Sequence, residues 1–298
     1  MTSMQAQPEE AADEIRQTVD RCLSAFLEER GLPTNLDGAV RYALLGPGKR
    51  ARPQLTIACC KALGGTEEAA LPGACAVEMI HAFSLVHDDL PALDNDELRR
   101  GRPTAHIAFG EPMALLAGDA LMSLAFEMAQ RGAAPDRCVR ELSTACTDMI
   151  AGQVLDTLGG DGDAGWERAS PLERLKRVHT GKTGALIRAS CRIGAICAGA
   201  EDDSEELRAI TDYAEAIGLM FQIVDDLLDE EQSPEHVGKA TGKDREAGKL
   251  TYPGVLGIEP ARAEVRHLQE QASAALSRLG NEAGPLREIC NALAIRTK

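Results

Sequence analysis

Residues 78–106 read EMIHAFSLVHDDLPALDNDELRRGRPTAH, and the fold turns on how this stretch is interpreted. From Met79 to Val86 the apolar residues leave almost no polar stripe, which predicts a helix over about 68–90 that is buried on most faces. The run ends in Asp88-Asp89, then Leu90-Pro91-Ala92-Leu93 and Asp94, with Asp96, Glu97, Arg99, Arg100 and Arg102 close behind. Two adjacent acids at the end of a buried helix are costly unless something positive meets them. Pro91 distorts the last turn and lets Asp94 swing back beside Asp88. Carboxylates held in that way offer hard oxygen ligands of the kind Mg²⁺ takes, although a solvated helix end carries the same letters. His81 and Ser84 lie seven and four positions before Asp88 and share its face. His87-Asp88 is also an HD pair of the kind metal-dependent phosphohydrolases use, but His87 points off that face.

Outward from this segment the helical period recurs. It spans roughly 9–27, 36–45 and 52–63 on one side, and 112–131, 136–158, 171–199, 204–230, 260–279 and 285–296 on the other. Gly/Pro breaks such as Gly46-Pro47-Gly48, Gly101-Arg102-Pro103 and Ser233-Pro234 separate them. No stretch alternates with period two for long enough to make a sheet. The expectation is an all-α protein: a disordered lead over 1–8 and a single helical domain over 9–298.

Composition agrees. The 298 residues hold 3% aromatics and are rich in Ala and Leu, a bias toward helix over strand. Lys and Arg number 32 against 47 Asp and Glu, a net charge of -15, which argues against nucleic-acid or anionic-membrane binding. No unbroken apolar run reaches 18 residues and the first twenty carry acids, so neither a membrane span nor a secretory signal is expected. Nine scattered cysteines with no CxxC pair suit a reducing, cytoplasmic setting.

A second acidic cluster, GLMFQIVDDLLDEE over 218–231, places Gln222, Asp225 and Asp229 at spacings of three and four, with Asp226 adjacent. Like charges so placed repel on an isolated helix, and a bound cation reverses the effect. A glycine-rich loop with Lys239, Lys243 and Lys249 follows and lacks the Walker spacing. Other basic turns are GPGKRARP over 46–53, with Lys49, Arg50 and Arg52, then Arg99-Arg100-Gly101-Arg102, and HTGKTGAL over 179–186 with Lys182 and Thr183. Guanidinium forks and ammonium groups at such turns match diphosphate oxygens.

Together these segments resemble the trans-prenyltransferases, the polyprenyl (isoprenyl) diphosphate synthases, with the bacterial farnesyl diphosphate synthases as the nearest likeness. The resemblance runs from about residue 40 to 255, motifs in family order. Asp88 to Asp94 is similar to the first aspartate-rich motif in its form with two extra residues, and Asp225 to Asp229 to the second. GPGKRARP resembles GGKRxRP, with Pro47 replacing a glycine. Gly152 to Asp156 (GQVLD) and Lys182-Thr183 match two further signatures.

The resemblance implies a single large helical bundle of the isoprenoid synthase type with a central cavity. It implies a catalytic set of Asp88, Asp89, Asp94, Lys182, Thr183, Gln222 and Asp225. Asp88, Asp94 and Asp225 would hold Mg²⁺, three ions per site, with Asp89, Asp226 and Asp229 supporting them. Arg99, Lys182, Lys239 and Lys249 would bind the allylic diphosphate. Lys49, Arg52, His81 and Arg100 would bind isopentenyl diphosphate, and Thr183 and Gln222 would line the reacting carbons. A homodimer is implied, with 112–131 as the candidate interface. Phe83 and Ser84, five and four positions before the first motif, would set product length; the large ring at 83 resembles farnesyl (C15) makers, with geranylgeranyl (C20) as the alternative. A terpene cyclase is disfavoured by the second set of diphosphate-binding cations, and a non-catalytic subunit by two intact aspartate motifs.

Overall fold

The computed structural model describes residues 3–231 and 250–296, with side chains from residue 11 onward except at 231 and 281. Among these residues the protein is helical apart from one two-stranded ribbon. It divides into two compact units, Met1–Ser143 with Ile193–Gly199, and Thr144–Arg192 with Ala200–Lys298.

The first unit holds α1 (Ser3–Arg30), α2 (Thr34–Leu44), α3 (Ala51–Ala62), α4 (Glu67–Asp88), the ribbon β1 (Leu98–Arg99) and β2 (Arg102–Pro103), α5 (Ala105–Phe109), α6 (Glu111–Ala129) and the start of α7 (Pro135–Thr157). Helix α1 is present from Ser3, inside the lead expected over 1–8 and earlier than the expected start near residue 9. Helix α4 is the axis of this unit. Thr66 caps it by accepting from the Ala69 amide, and twelve of its residues, from Ala70 to Val86, are buried. It packs against α3 and α6, and the contact with α6 is tight because position 118 is glycine: a Cβ there would overlap the His87 imidazole. By length and hydropathy α4 and α6 each resemble a membrane span. In α4 that apolarity is spent on packing from several sides.

The second unit holds the rest of α7, then α8 (Ala164–Arg168), α9 (Pro171–His179), a π-helical turn (Thr180–Gly184), α10 (Ala185–Cys197) up to Arg192, its end belonging to the first unit, α11 (Glu205–Glu231), α12 (Tyr252–Leu256), α13 (Ile258–Ser277), a 3-10 turn (Asn281–Ala283) and α14 (Gly284–Ala294). A capping box between Ser170 and Glu173 starts α9. Helix α11 is the hub, packed on α13 and α14, with the Tyr213 hydroxyl donating to the Leu286 carbonyl at 2.9 Å.

The helix expected over 171–199 is interrupted by the π turn. The cause lies on α7: at Gly152 the two backbones approach so closely that a Cβ would lie 2.6 Å from the Gly181 carbonyl carbon and 2.8 Å from the Lys182 Cα. A widened turn next to a glycine is how one helix passes another at that range, and such turns gather at functional sites. All nine cysteines are free and eight are buried, filling gaps as small hydrophobes.

Candidate active site

In the first unit the turn after α4 closes as the sequence predicts. The Asp94 amide donates to the Asp88 carbonyl at 2.9 Å and the Asn95 amide to the Leu90 carbonyl at 3.1 Å, so the two carboxylate-bearing residues sit on one turn. Asn95 takes the left-handed conformation, φ 51°, that this reversal needs. Asp89 faces inward: it is 3% exposed and Arg99 grips it through Nε at 2.8 and 2.9 Å and Nη2 at 2.6 Å. The pair leaves Asp89 a scaffold for Arg99, and Asp88 and Asp94 nearer to solvent.

The basic turns of this unit are built against each other. Arg100 and Gly101, with φ of 52° and 75°, form the two-residue turn of the β1–β2 ribbon. Tyr42 anchors it, its hydroxyl donating to the Pro103 carbonyl at 2.7 Å while the Arg102 guanidinium lies 4.2 Å over its ring. Arg100 donates to the Pro47 carbonyl at 2.7 Å, joining the ribbon to the GPGKRARP turn. Lys49 is exposed and Arg52 half-buried. Desolvation first, then the charges of Arg52, Arg100, Arg99 and Arg50, hold the His81 imidazole well below its ordinary value, so it is neutral among cations. Ser84 turns its hydroxyl back to the His81 carbonyl at 2.9 Å. Phe83 is buried and meets His87 edge-to-face at 5.0 Å. His87 in turn contacts the Leu115 carbonyl of α6 at 3.0 Å, away from Asp88, which removes the phosphohydrolase reading of the HD pair.

In the second unit the π turn aims two residues. Lys182 Nζ donates to Asp156 at 2.6 Å, and the Thr183 hydroxyl donates to the Gln222 carbonyl oxygen at 3.1 Å. The Gln222 amide then donates to Asp226 at 3.1 Å, and the Tyr252 backbone N–H donates to the other oxygen of Asp226 at 2.9 Å. This chain of bonds fixes which way the Gln222 amide points. The glutamine serves the buried Asp226, one turn along the helix. His179 stacks on Tyr252 at 5.6 Å, with its Nε2 4.0 Å from Asp226. Asp225 receives Arg296 Nη1 at 2.8 Å, and Arg296 lies 5.3 Å from the Phe221 ring. Lys239, Lys243 and Lys249 lie outside the described residues.

Among the described residues no three Asp, Glu, His or Cys side chains form a ready-made metal cage. The donor set fits Mg²⁺ all the same, because that ion binds through one or two carboxylates, waters and substrate phosphates rather than an all-protein cage. Sequence reasoning passed over Asp156 as a site residue although it closes the GQVLD run, and passed over His179 and Tyr252, whose partners are remote in sequence.

A polyprenyl synthetase family model matches residues 33–283. The chain is 46% identical over 274 residues to a chloroplastic geranylgeranyl pyrophosphate synthase of Catharanthus roseus, covering 89% of this chain and 74% of that one. Among solved structures it is similar to an apo FPP/GFPP synthase from Zymomonas mobilis (TM-score 0.82, 35% identity, 97% of this chain and 99% of that one). It is similar also to a geranylgeranyl pyrophosphate synthetase from Pyrococcus horikoshii (TM-score 0.83, 29% identity, 97% and 99% covered). With the aspartate turns, basic turns and all-helical architecture already in place, these matches make the chain a prenyltransferase belonging to the polyprenyl synthetase family.

Proposed function

We propose that the protein joins isopentenyl diphosphate to an allylic diphosphate with Mg²⁺ and carries the chain to geranylgeranyl diphosphate, C20. The first unit carries this reading: it holds a carboxylate turn, Asp88 with Asp94, and a separate cationic cluster, Lys49, Arg52 and Arg100 beside neutral His81, so it is equipped for two diphosphates of different kinds. A cyclase, with one diphosphate to hold, has no use for the second set. Mg²⁺ bound by Asp88, Asp94 and Asp225, three ions in all, would neutralise the charge that grows on the departing diphosphate. Arg99 and Lys182 would bind that diphosphate. The Gln222 carbonyl and the Thr183 oxygen present lone pairs to positive charge on the allylic carbons, oriented before reaction by their own hydrogen bonds.

The C20 assignment rests on the names of the Catharanthus roseus and Pyrococcus horikoshii relatives, and it replaces the C15 expectation as the main reading. Phe83, the ring that suggested C15, packs edge-to-face on His87, which leans on α6. C15 stays as the second reading because that ring is buried five positions before Asp88. Incubation of the purified chain with Mg²⁺, isopentenyl diphosphate and C5, C10 or C15 allylic diphosphates, with products weighed by mass spectrometry, tests both. C20 from all three partners is the expected result. A product that stops at C15, and lengthens in Phe83→Ala, overturns the C20 reading in favour of the second. No condensation at all overturns the prenyltransferase assignment.

Two further points belong to this reading. Exposed Ile107, Phe109, Leu115 and Leu116 on and beside α5 and α6 support a homodimer formed through that face. The nine free cysteines support a cytoplasmic location.

A further inference from the structure

Arg50 is the one cation of GPGKRARP to which the family resemblance gives no role, and it is also the one that faces inward. Its backbone is left-handed, φ 51° and ψ 39°, at the N-cap of α3. A side chain with a Cβ persists there only where its surroundings hold it. The holds are specific. Nε donates to Asp20 of α1 at 2.8 Å, Nη1 to Glu78 of α4 at 2.9 Å, and Nη2 to the Gly46 carbonyl at 3.1 Å. Arg50 and Glu78 are 3% and 5% exposed, so neither charge is balanced by water. One planar fork thus ties the mouth of the turn, the start of α3 and two long helices together.

The turn is held from its other side as well, by Arg100 on the Pro47 carbonyl. Between these two clamps lie Gly48 and Lys49, and Arg52 follows one residue into α3. Gly48 has no room for a side chain, since a Cβ would stand 2.5 Å from one Arg100 nitrogen and 3.2 Å from one Arg50 nitrogen.

We infer that Arg50 is a positioning residue for the isopentenyl diphosphate subsite: through Asp20, Glu78 and Gly46 it sets the aim of Lys49 and Arg52, without touching the diphosphate. The inference rests on the condensation reading above. Its charge is spent on Glu78 and Asp20, so what it supplies to the subsite is geometry. A lysine carries the same charge on one nitrogen and cannot reproduce three bonds in the directions of the fork.

Two variants test this in steady-state kinetics, read together with thermal melts. Arg50→Lys is expected to raise KM for isopentenyl diphosphate by about tenfold, with kcat and the KM of the allylic substrate within about twofold of wild type. Asp20→Asn removes one hold at a half-exposed carboxylate, so it keeps the fold should Arg50→Lys fail to. It separates aim from charge by sign. Loss of a negative charge near a cationic subsite tightens diphosphate binding if charge alone matters, whereas loss of aim weakens it. The expected result is an isopentenyl diphosphate KM raised about threefold. An unchanged or lowered KM in Asp20→Asn overturns the inference, as does a folded Arg50→Lys with wild-type KM. If wild type condenses nothing, the condensation reading fails and takes this inference with it. A wild type that condenses beside variants without the KM split overturns the inference alone.

Discussion

Replacing Gly152 by alanine adds one methyl group to α7 at its closest approach to the π turn. The new Cβ would stand 2.6 Å from the Gly181 carbonyl carbon and 2.8 Å from the Lys182 Cα, and nearer still to the Lys182 nitrogen. Ordinary contact begins at 3.4 Å, so the two backbones must part by about 1 Å. The obstacle is main chain, and no side-chain rotation relieves it. The displaced residues are Lys182 and Thr183, whose bonds to Asp156 at 2.6 Å and to Gln222 at 3.1 Å have no slack of that size. A 1 Å misplacement of positioning groups costs about 100-fold in rate, or about 2.7 kcal/mol of barrier. Overpacking adds a stability loss of about 1–3 kcal/mol. Steady-state condensation rates at saturating substrates, with a denaturant melt on the same preparation, measure both. Gly38→Ala in α2, where a Cβ meets nothing within 4 Å, is the control and is expected to leave the rate unchanged and to raise stability by about 0.5–1 kcal/mol. A folded Gly152→Ala whose kcat stays within twofold of wild type refutes the claim that this contact aims Lys182 and Thr183.

Burial above all pushes the His179 imidazole down to about 4 from its ordinary 6.5, with Asp156 pulling it up and Lys182 pressing it down. The unfolded chain therefore takes up that proton first, and stability present at neutral pH is lost as pH falls from about 6.5 toward 4, by up to about 3 kcal/mol. Denaturant melts of wild type and His179→Asn across that range check it: the two curves should converge as the pH drops, and parallel curves count against it. Arg296→Gln removes from Asp225 one partly exposed ion pair worth at most about 1 kcal/mol, so the Mg²⁺ concentration for half-maximal activity should fall two- to fivefold; an increase would show that Arg296 assists the substrate complex instead. Thr183→Val deletes the donor to Gln222 and leaves its amide held only through the bond to Asp226, which should lower kcat about tenfold with KM values little changed; a pure KM effect would move Thr183 from the reacting carbons to substrate binding.

Much of this protein is legible along the chain because its signals are local. The 3.6-residue period, the Gly/Pro breaks and the low aromatic content mark all-helical structure, and apart from the start of α1 and the break at Thr180–Gly184 the major helices begin and end within a few residues of where these signals place them. Asp88 and Asp94 come together because Pro91 forces a turn within six residues, a fact of covalent geometry. The basic turns are visible as charges between helix breakers.

Tertiary structure alone decided which like residues differ in duty. Of the paired acids, Asp89 turns inward to Arg99 while Asp88 does not, and Asp226 turns inward to Gln222 and Tyr252 while Asp225 meets Arg296. Of the cations in GPGKRARP, Arg50 is spent on Glu78 and Asp20. The break at Thr180–Gly184 likewise belongs to the crossing with α7, since nothing between 171 and 199 forbids a continuous helix except the backbone lying on Gly152. Hydrophobic period is a property of neighbours in sequence and is written there. The choice of partner for a buried charge depends on which helix arrives beside it, because burial makes an unmatched charge too costly to leave alone, and only the packed chain brings that helix there.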